Sequence, residues 1–157
     1  MKSALDVARY FLCRLDREAG DTISPLKLQK LVYYAQAWSL VFRKQPLFDQ
    51  DIEAWVHGPV VREVWNEYQD YKYRDIPEPT DFGEINFAED EIEVLEEVWS
   101  AYGEFSARHL EELTHSEKPW IEARKGLEPA SNSTNIISHD RMKNYYGSLV
   151  DEVGLIG

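Results

Sequence analysis

Between Pro25 and Phe42 the chain carries apolar residues at helical spacing on two sides at once. At 3.6 residues per turn, Leu28, Leu31, Ala35, Trp38 and Phe42 fall in one stripe, while Gln29, Tyr33, Gln36 and Leu40 lie roughly opposite. The first stripe predicts a core face. The second is too apolar for a solvated surface and too polar for a plain core, so it is either a buried hydrogen-bonded seam or a recognition face. Ser24 as N-cap and Pro25 at the first helical position, where a missing N–H costs nothing, set the start of this helix.

The same patterning predicts a first helix opened by a Ser3/Asp6 capping box, with Ala4, Leu5, Ala8, Phe11, Leu12 and Leu15 inward and Gly20 placed to end it. The two helices should pack as a hairpin. Residues 49–57 alternate, Ile52, Ala54 and Val56 against Glu53, Trp55 and His57, and run into Gly58-Pro59, which predicts an extended or short β segment near residues 52–57. A third helix is expected from about Pro59 to Tyr71, with Val60, Val61, Val64, Trp65 and Tyr68 on its apolar face. Pro77, Pro79 and Gly83 then mark a long loop.

A fourth helix is predicted over Glu89 to Tyr102, with Ile92, Leu95, Trp99 and Tyr102 inward and Glu89, Asp90, Glu91, Glu93, Glu96 and Glu97 on a face without a base. A fifth runs from Phe105 to Thr114 with Ser106 as cap, Pro119 opens a short sixth, and Ser138 caps a last one reaching about Ser148. The tail, Leu149 to Gly157, contains Leu149, Val150, Val153, Leu155 and Ile156. It is apolar enough to dock on the body or to be read by a protease when undocked. The expectation is a mainly α, compact helical bundle of six to seven helices in a single domain over residues 1–157.

Composition narrows the function. The formal net charge of −12 argues against binding a nucleic-acid backbone, which needs basic side chains to displace counterions, and fits a basic protein partner better. Acidity for solubility alone explains it equally well. An aromatic content of 13 %, with five Trp and nine Tyr, suggests rings at the surface as interface anchors. A lone Cys13 leaves no intrachain disulfide and no cysteine zinc cluster, which suggests a reducing compartment. Asp6 and Arg9 interrupt any leader-like apolar run, and no stretch reaches the ~18 apolar residues of a membrane span, so a cytoplasmic protein with no membrane contact is expected.

No constellation for catalysis emerges. Asp49, Asp51 and Glu53 are spaced like the start of a calcium loop, but Ala54 and Val60 stand where that loop needs Gly and Glu. His57, His109, His115 and His139 lack zinc-helix spacing. Cys13 lies between apolar neighbours, and Ser138-His139-Asp140 point about 100° apart on a helix, too far for a relay. The reading is therefore not an enzyme, with no cofactor and no metal.

Three blocks then stand together: Ser24-Pro-Leu-Lys-Leu-Gln-Lys-Leu-Val-Tyr-Tyr-Ala-Gln-Ala-Trp38, Pro46-Leu-Phe with Ile52-Glu-Ala-Trp-Val-His-Gly-Pro-Val-Val-Arg-Glu-Val-Trp65, and Leu113-Thr-His-Ser-Glu-Lys-Pro-Trp120 with Ala123-Arg124. They resemble the Panacea, or SocA-like antitoxin, domain family over about the first 125 residues. Residues 137–146 are compatible with that family's closing helix.

The resemblance implies the antitoxin role of bacterial and phage toxin–antitoxin pairs: neutralising a cognate protein toxin, often one that attacks translation, by direct contact. For some members it implies an adaptor that delivers the toxin to a protease. The chain has no room for an added DNA-binding region, so no direct nucleic-acid binding is expected. The alternative is an acidic nucleic-acid mimic that blocks a DNA- or RNA-binding protein chiefly by charge. Leu28, Leu31, Ala35, Trp38, Pro59, Val60, Val64, Trp65 and Trp120 are read as structural core. Gln29, Tyr33, Tyr34, Gln36, Trp55, His57 and Gly58 are the candidate toxin-binding residues.

Overall fold

The computed structural model describes residues 1–80 and 86–153. The first helix, α1 (Ala4–Arg14), opens on the expected capping box: Ser3 Oγ accepts from Asp6 N–H at 3.1 Å and Asp6 Oδ2 from Ser3 N–H at 2.9 Å. It stops at Leu15, which is extended, earlier than Gly20 suggested. Gly20 instead completes a turn over 16–21, with φ +94°. Helix α2 (Pro25–Phe42) has Ser24 Oγ accepting from Lys27 N–H at 3.3 Å. It is the axis of the molecule, packed by α1 on one side and by most later elements on others. A helix apolar all round belongs in a core, and from Leu28 to Val41 only Trp38 is less than fully buried.

Strand β1 (Ile52–Trp55) pairs antiparallel with β2 (Gly58–Val61) through a turn at Val56-His57. Ile52 stands opposite Val61 and Trp55 opposite Gly58. The hairpin continues where a helix was expected from Pro59. The β-branched Val60 and Val61 fit a pleated surface and have a partner strand waiting, so α3 (Arg62–Tyr68) begins three residues later and closes in a 3₁₀ turn at Gln69–Tyr71. A third segment flanks β1: Ala54 N–H donates to Asn135 O at 2.7 Å and Ile137 N–H to Ile52 O at 2.8 Å.

After a loop that returns to the body where Ile76 N–H bonds Ile23 O, α4 (Glu89–Tyr102) spans the residues its pattern predicted. Gly83 falls outside the described residues. The buried stripe of α4 is Glu91, Val94, Leu95 and Val98. Ile92 is exposed, because at 100° per residue it falls roughly 110° from the centre of that stripe, on its flank beside Leu95. The acids on α4 also meet bases from elsewhere: Glu96 pairs with Arg14 and Asp90 with Arg43, each at 2.9 Å.

Helix α5 (Ala107–Ser116) is capped by Ser106, α6 (Lys118–Ala123) begins beside Pro119, and α7 (His139–Val153) is capped by Ser138 and outlasts its expected end by a turn. Val150 is buried within α7, so this part of the apolar tail docks; Leu155 and Ile156 lie outside the described residues. Seven α-helices and one hairpin, among the described residues, make the fold mainly α.

Candidate functional site

The polar residues on the second face of α2 are explained by what surrounds them. The Gln29 side chain takes both backbone groups of Val61, accepting from its N–H at 3.0 Å and donating to its C=O at 3.2 Å, and thereby closes the free edge of β2. Gln36 does the same for the 47–48 loop, accepting from Leu47 N–H at 2.7 Å and donating to Phe48 O at 2.8 Å.

Tyr34 OH and Tyr146 OH both donate to Glu117 Oε1, at 2.7 and 2.8 Å. The Tyr146 oxygen, its proton thus committed, accepts from Tyr33 at 2.9 Å. Tyr34 also stacks on Tyr102 with ring centroids 4.0 Å apart. Of the two readings of this face, the structure shows the seam. Gln29, Tyr33, Tyr34 and Gln36 are buried and have no surface to offer a partner. Of the four, Gln29 supports the neighbouring hairpin through Val61.

That corner is the turn between the strands. Its inner side is clamped. Trp120 Nε1–H donates to Trp55 O at 2.8 Å, and Arg124, itself buried, donates to Ala54 O at 2.9 Å while spanning the carbonyls of Glu128, Pro129 and Ser131. Arg124 also lies 4.9 Å from the Trp120 ring centroid, and His115 stacks on the other ring system at 4.0 Å. Gly58, at φ +117°, presses on Lys30: a Cβ there would stand 2.6 Å from Lys30 Cε and 3.1 Å from Thr114 Oγ1.

The outer side of the corner is open. His57 is exposed, with Nδ1 3.2 Å from Glu111, rather than packed as a ring that fixes the turn. Trp65, expected in the core, is 36 % exposed because the hairpin turns it outward to meet Trp55, with ring centroids 5.4 Å apart at 59°. Phe42, also expected inward, is exposed beyond the last turn of packing and stacks on Trp38. Arg62 lies 5.4 Å from the Trp55 ring and holds Glu53 in a two-pronged pair, at 2.8 and 3.2 Å; Glu53 also accepts from Trp55 Nε1–H at 3.0 Å. Between these rings, the start of α2 and residues 130–134 runs a groove of about 720 Å³.

Burial governs the titration of the interior. It lowers the Lys30 amine to about 7, against a small opposing pull from Glu111, and it lowers His115 while raising Glu117 despite the two tyrosine donors. Lys30 Nζ and His115 Nε2 are buried without hydrogen-bond partners among the described residues. Burial, with the charge of Glu78 adding to it, also pushes the Cys13 thiol up to about 11. Since the thiolate is the reactive form, iodoacetamide at pH 8 should modify Cys13 roughly 100-fold more slowly in the native protein than in urea. A native rate equal to the denatured one would show an accessible thiol with an unshifted pKa instead. Among the described residues no group of three or more His, Cys, Asp or Glu could hold a metal ion, and no helix is long and apolar enough to cross a membrane.

Of the corner residues singled out in the sequence, Trp55 and His57 line the groove while Gly58 is buried beneath it; sequence reasoning assigned no role to Lys30, His115, Glu117 or Arg124. The available signal was a charged side chain inside an apolar or aromatic run, as with Lys30 between Leu28 and Leu31.

A helical scaffold that buries its polar seam and turns two tryptophans outward is organised around a surface rather than an enclosed cavity. Over residues 28–121 the chain matches the family model described as "Antitoxin SocA-like, Panacea domain". The chain belongs to this family, which is associated with toxin–antitoxin and phage systems. The match takes in most of α2, the hairpin, α3 to α5 and Trp120; α1, Arg124 and α7 lie outside it. Comparison with curated proteins and with solved structures finds no match.

Proposed function

We propose that the protein is an antitoxin that neutralises a cognate toxin by direct protein–protein contact and makes or breaks no covalent bond itself, and that the contact is centred on the groove at the Trp55–Gly58 corner. The observation that carries this is the pairing of Trp55 and Trp65 on the outside of a corner fastened from within by Trp120 and Arg124, with Lys30 packed beneath Gly58. Exposing indole surface in water is unfavourable, and holding it rigid lowers the entropy lost on binding. Together these are the properties of a binding hot spot.

The test is co-expression with the toxic product of an adjacent reading frame. Trp55→Ala and Trp65→Ala should each weaken the complex by about 2 kcal/mol, roughly 30-fold in Kd, and lose rescue of growth. The melting temperature should move little, since both rings are already partly in water. Rescue by the double variant at wild-type level would place the contact elsewhere.

A further inference from the structure

Acidic residues make up 29 of the 157 positions, yet among the described residues none of the fifteen that line the groove is Asp or Glu. Three of the fifteen are His57, Arg62 and Lys72. Lys72 is exposed and makes no ion pair among the described residues, and Arg62 Nη1 stays outside the bonds to Glu53. A protein of charge −12 thus carries an acid-free patch with a cationic rim, set around two tryptophans.

We propose that this groove receives a segment of the partner protein in which an aromatic side chain stands beside a carboxylate. The inference rests on the antitoxin reading and specifies the chemistry its site selects; at this contact it is the reverse of the basic partner that net charge suggested. Range decides between the two. At physiological salt the Debye length is about 8 Å, so the chain-wide negative charge is largely screened at the groove floor while Lys72 and Arg62 act at contact distance. A basic segment would meet Lys72 there with no ion-pair partner among the described residues, whereas the carboxylates at the rim, Glu53 and Glu111, are already engaged by Arg62 and His57. The volume suits one aromatic side chain and its backbone, with the tilted indoles offering edge and face contacts. Gln69, Asn132 and Ser133 on the rim can pair with the backbone of an extended segment.

The experiment uses the full chain labelled with ¹⁵N and follows its five indole N–H signals, assigned by Trp→Phe variants. It is titrated with indole-3-acetate and with tryptamine, the same ring carrying opposite charge. Indole-3-acetate should shift the Trp55 and Trp65 signals and bind about three- to fivefold more tightly than tryptamine, as expected for one exposed ion pair. The preference should shrink at raised salt and disappear in Lys72→Glu, whose melt should match wild type. Equal or tighter tryptamine binding, or no shift of those two signals by either probe, would overturn the proposal; so would tighter binding of adenosine monophosphate, which would make the occupant a nucleotide. Because the probes bypass the toxin, the preference without growth rescue would remove the antitoxin reading and leave this site, and rescue without the preference would do the reverse.

Discussion

Lys30→Met should stabilise the protein by about 2–4 kcal/mol at pH 7 and below, and should flatten its stability profile between pH 7 and pH 10. The Lys30 side chain is wholly buried, and its Nζ has no hydrogen-bond partner among the described residues. Burial lowers its pKa from 10.5 to about 7, so between those values the unfolded chain holds a proton that the folded chain does not. Stability must then rise with pH through that window. Below pH 7 both states are protonated and the penalty is present in full.

Converting the shift at 1.36 kcal/mol per unit gives an upper limit of about 5 kcal/mol, which partial relaxation toward Glu111 would reduce. Methionine fills the side chain's path as far as Cε and removes the desolvated amine. Above pH 10 both proteins should weaken together, since burial holds Tyr33, Tyr34 and Tyr146 well above their usual range and the unfolded chain ionises first. Urea denaturation at a series of pH values measures both effects. A variant that keeps the wild-type slope would mean that Lys30 is solvated in solution.

Gly58→Ala should cost about 3 kcal/mol of stability. Two costs act together. The backbone at φ +117° is strained for any L side chain, and the added Cβ would stand 2.9 Å from Lys30 Nζ as well as 2.6 Å from Cε. A flexible side chain could normally swing away, but Lys30 is wholly buried, and the added Cβ would also crowd Thr114 Oγ1 at 3.1 Å. Relief must come from the corner, so Trp55 and His57 should move and toxin neutralisation should weaken along with the melt. The two substitutions share a contact, so they should not be additive: a smaller penalty for Gly58→Ala in a Lys30→Met background would report the collision directly. Full additivity would locate the cost in the backbone alone.

The sequence was informative wherever a local signal settled the outcome. Ser3 with Asp6, Ser24 with Pro25, and Ser106 each satisfy orphan N–H groups within one turn, so these helix starts fall where the pattern placed them. The apolar period of α4 likewise marks its length. The errors share a cause. Pro59, Val60 and Val61 fit the first turn of a helix or an edge strand, and the choice depended on Ile52–Trp55 lying alongside and on Gln29 reaching across from another element. Ile92, Phe42 and Trp65 have the right residue type for a core, but whether a position on an amphipathic helix faces inward is set by what packs there.

What the chain determined by itself was the set of helices, the presence of one central helix apolar on two sides, and a break at Gly58-Pro59, because each follows from contacts within a few residues. Only the tertiary structure decided that the Gln29, Tyr33 and Gln36 stripe is an interior seam, that Lys30 is sealed beneath a glycine, and that the acids avoid a groove flanked by two tryptophans. Those features join residues dozens of positions apart. Burial and charge at a point in space are sums over such neighbours, which no local pattern contains.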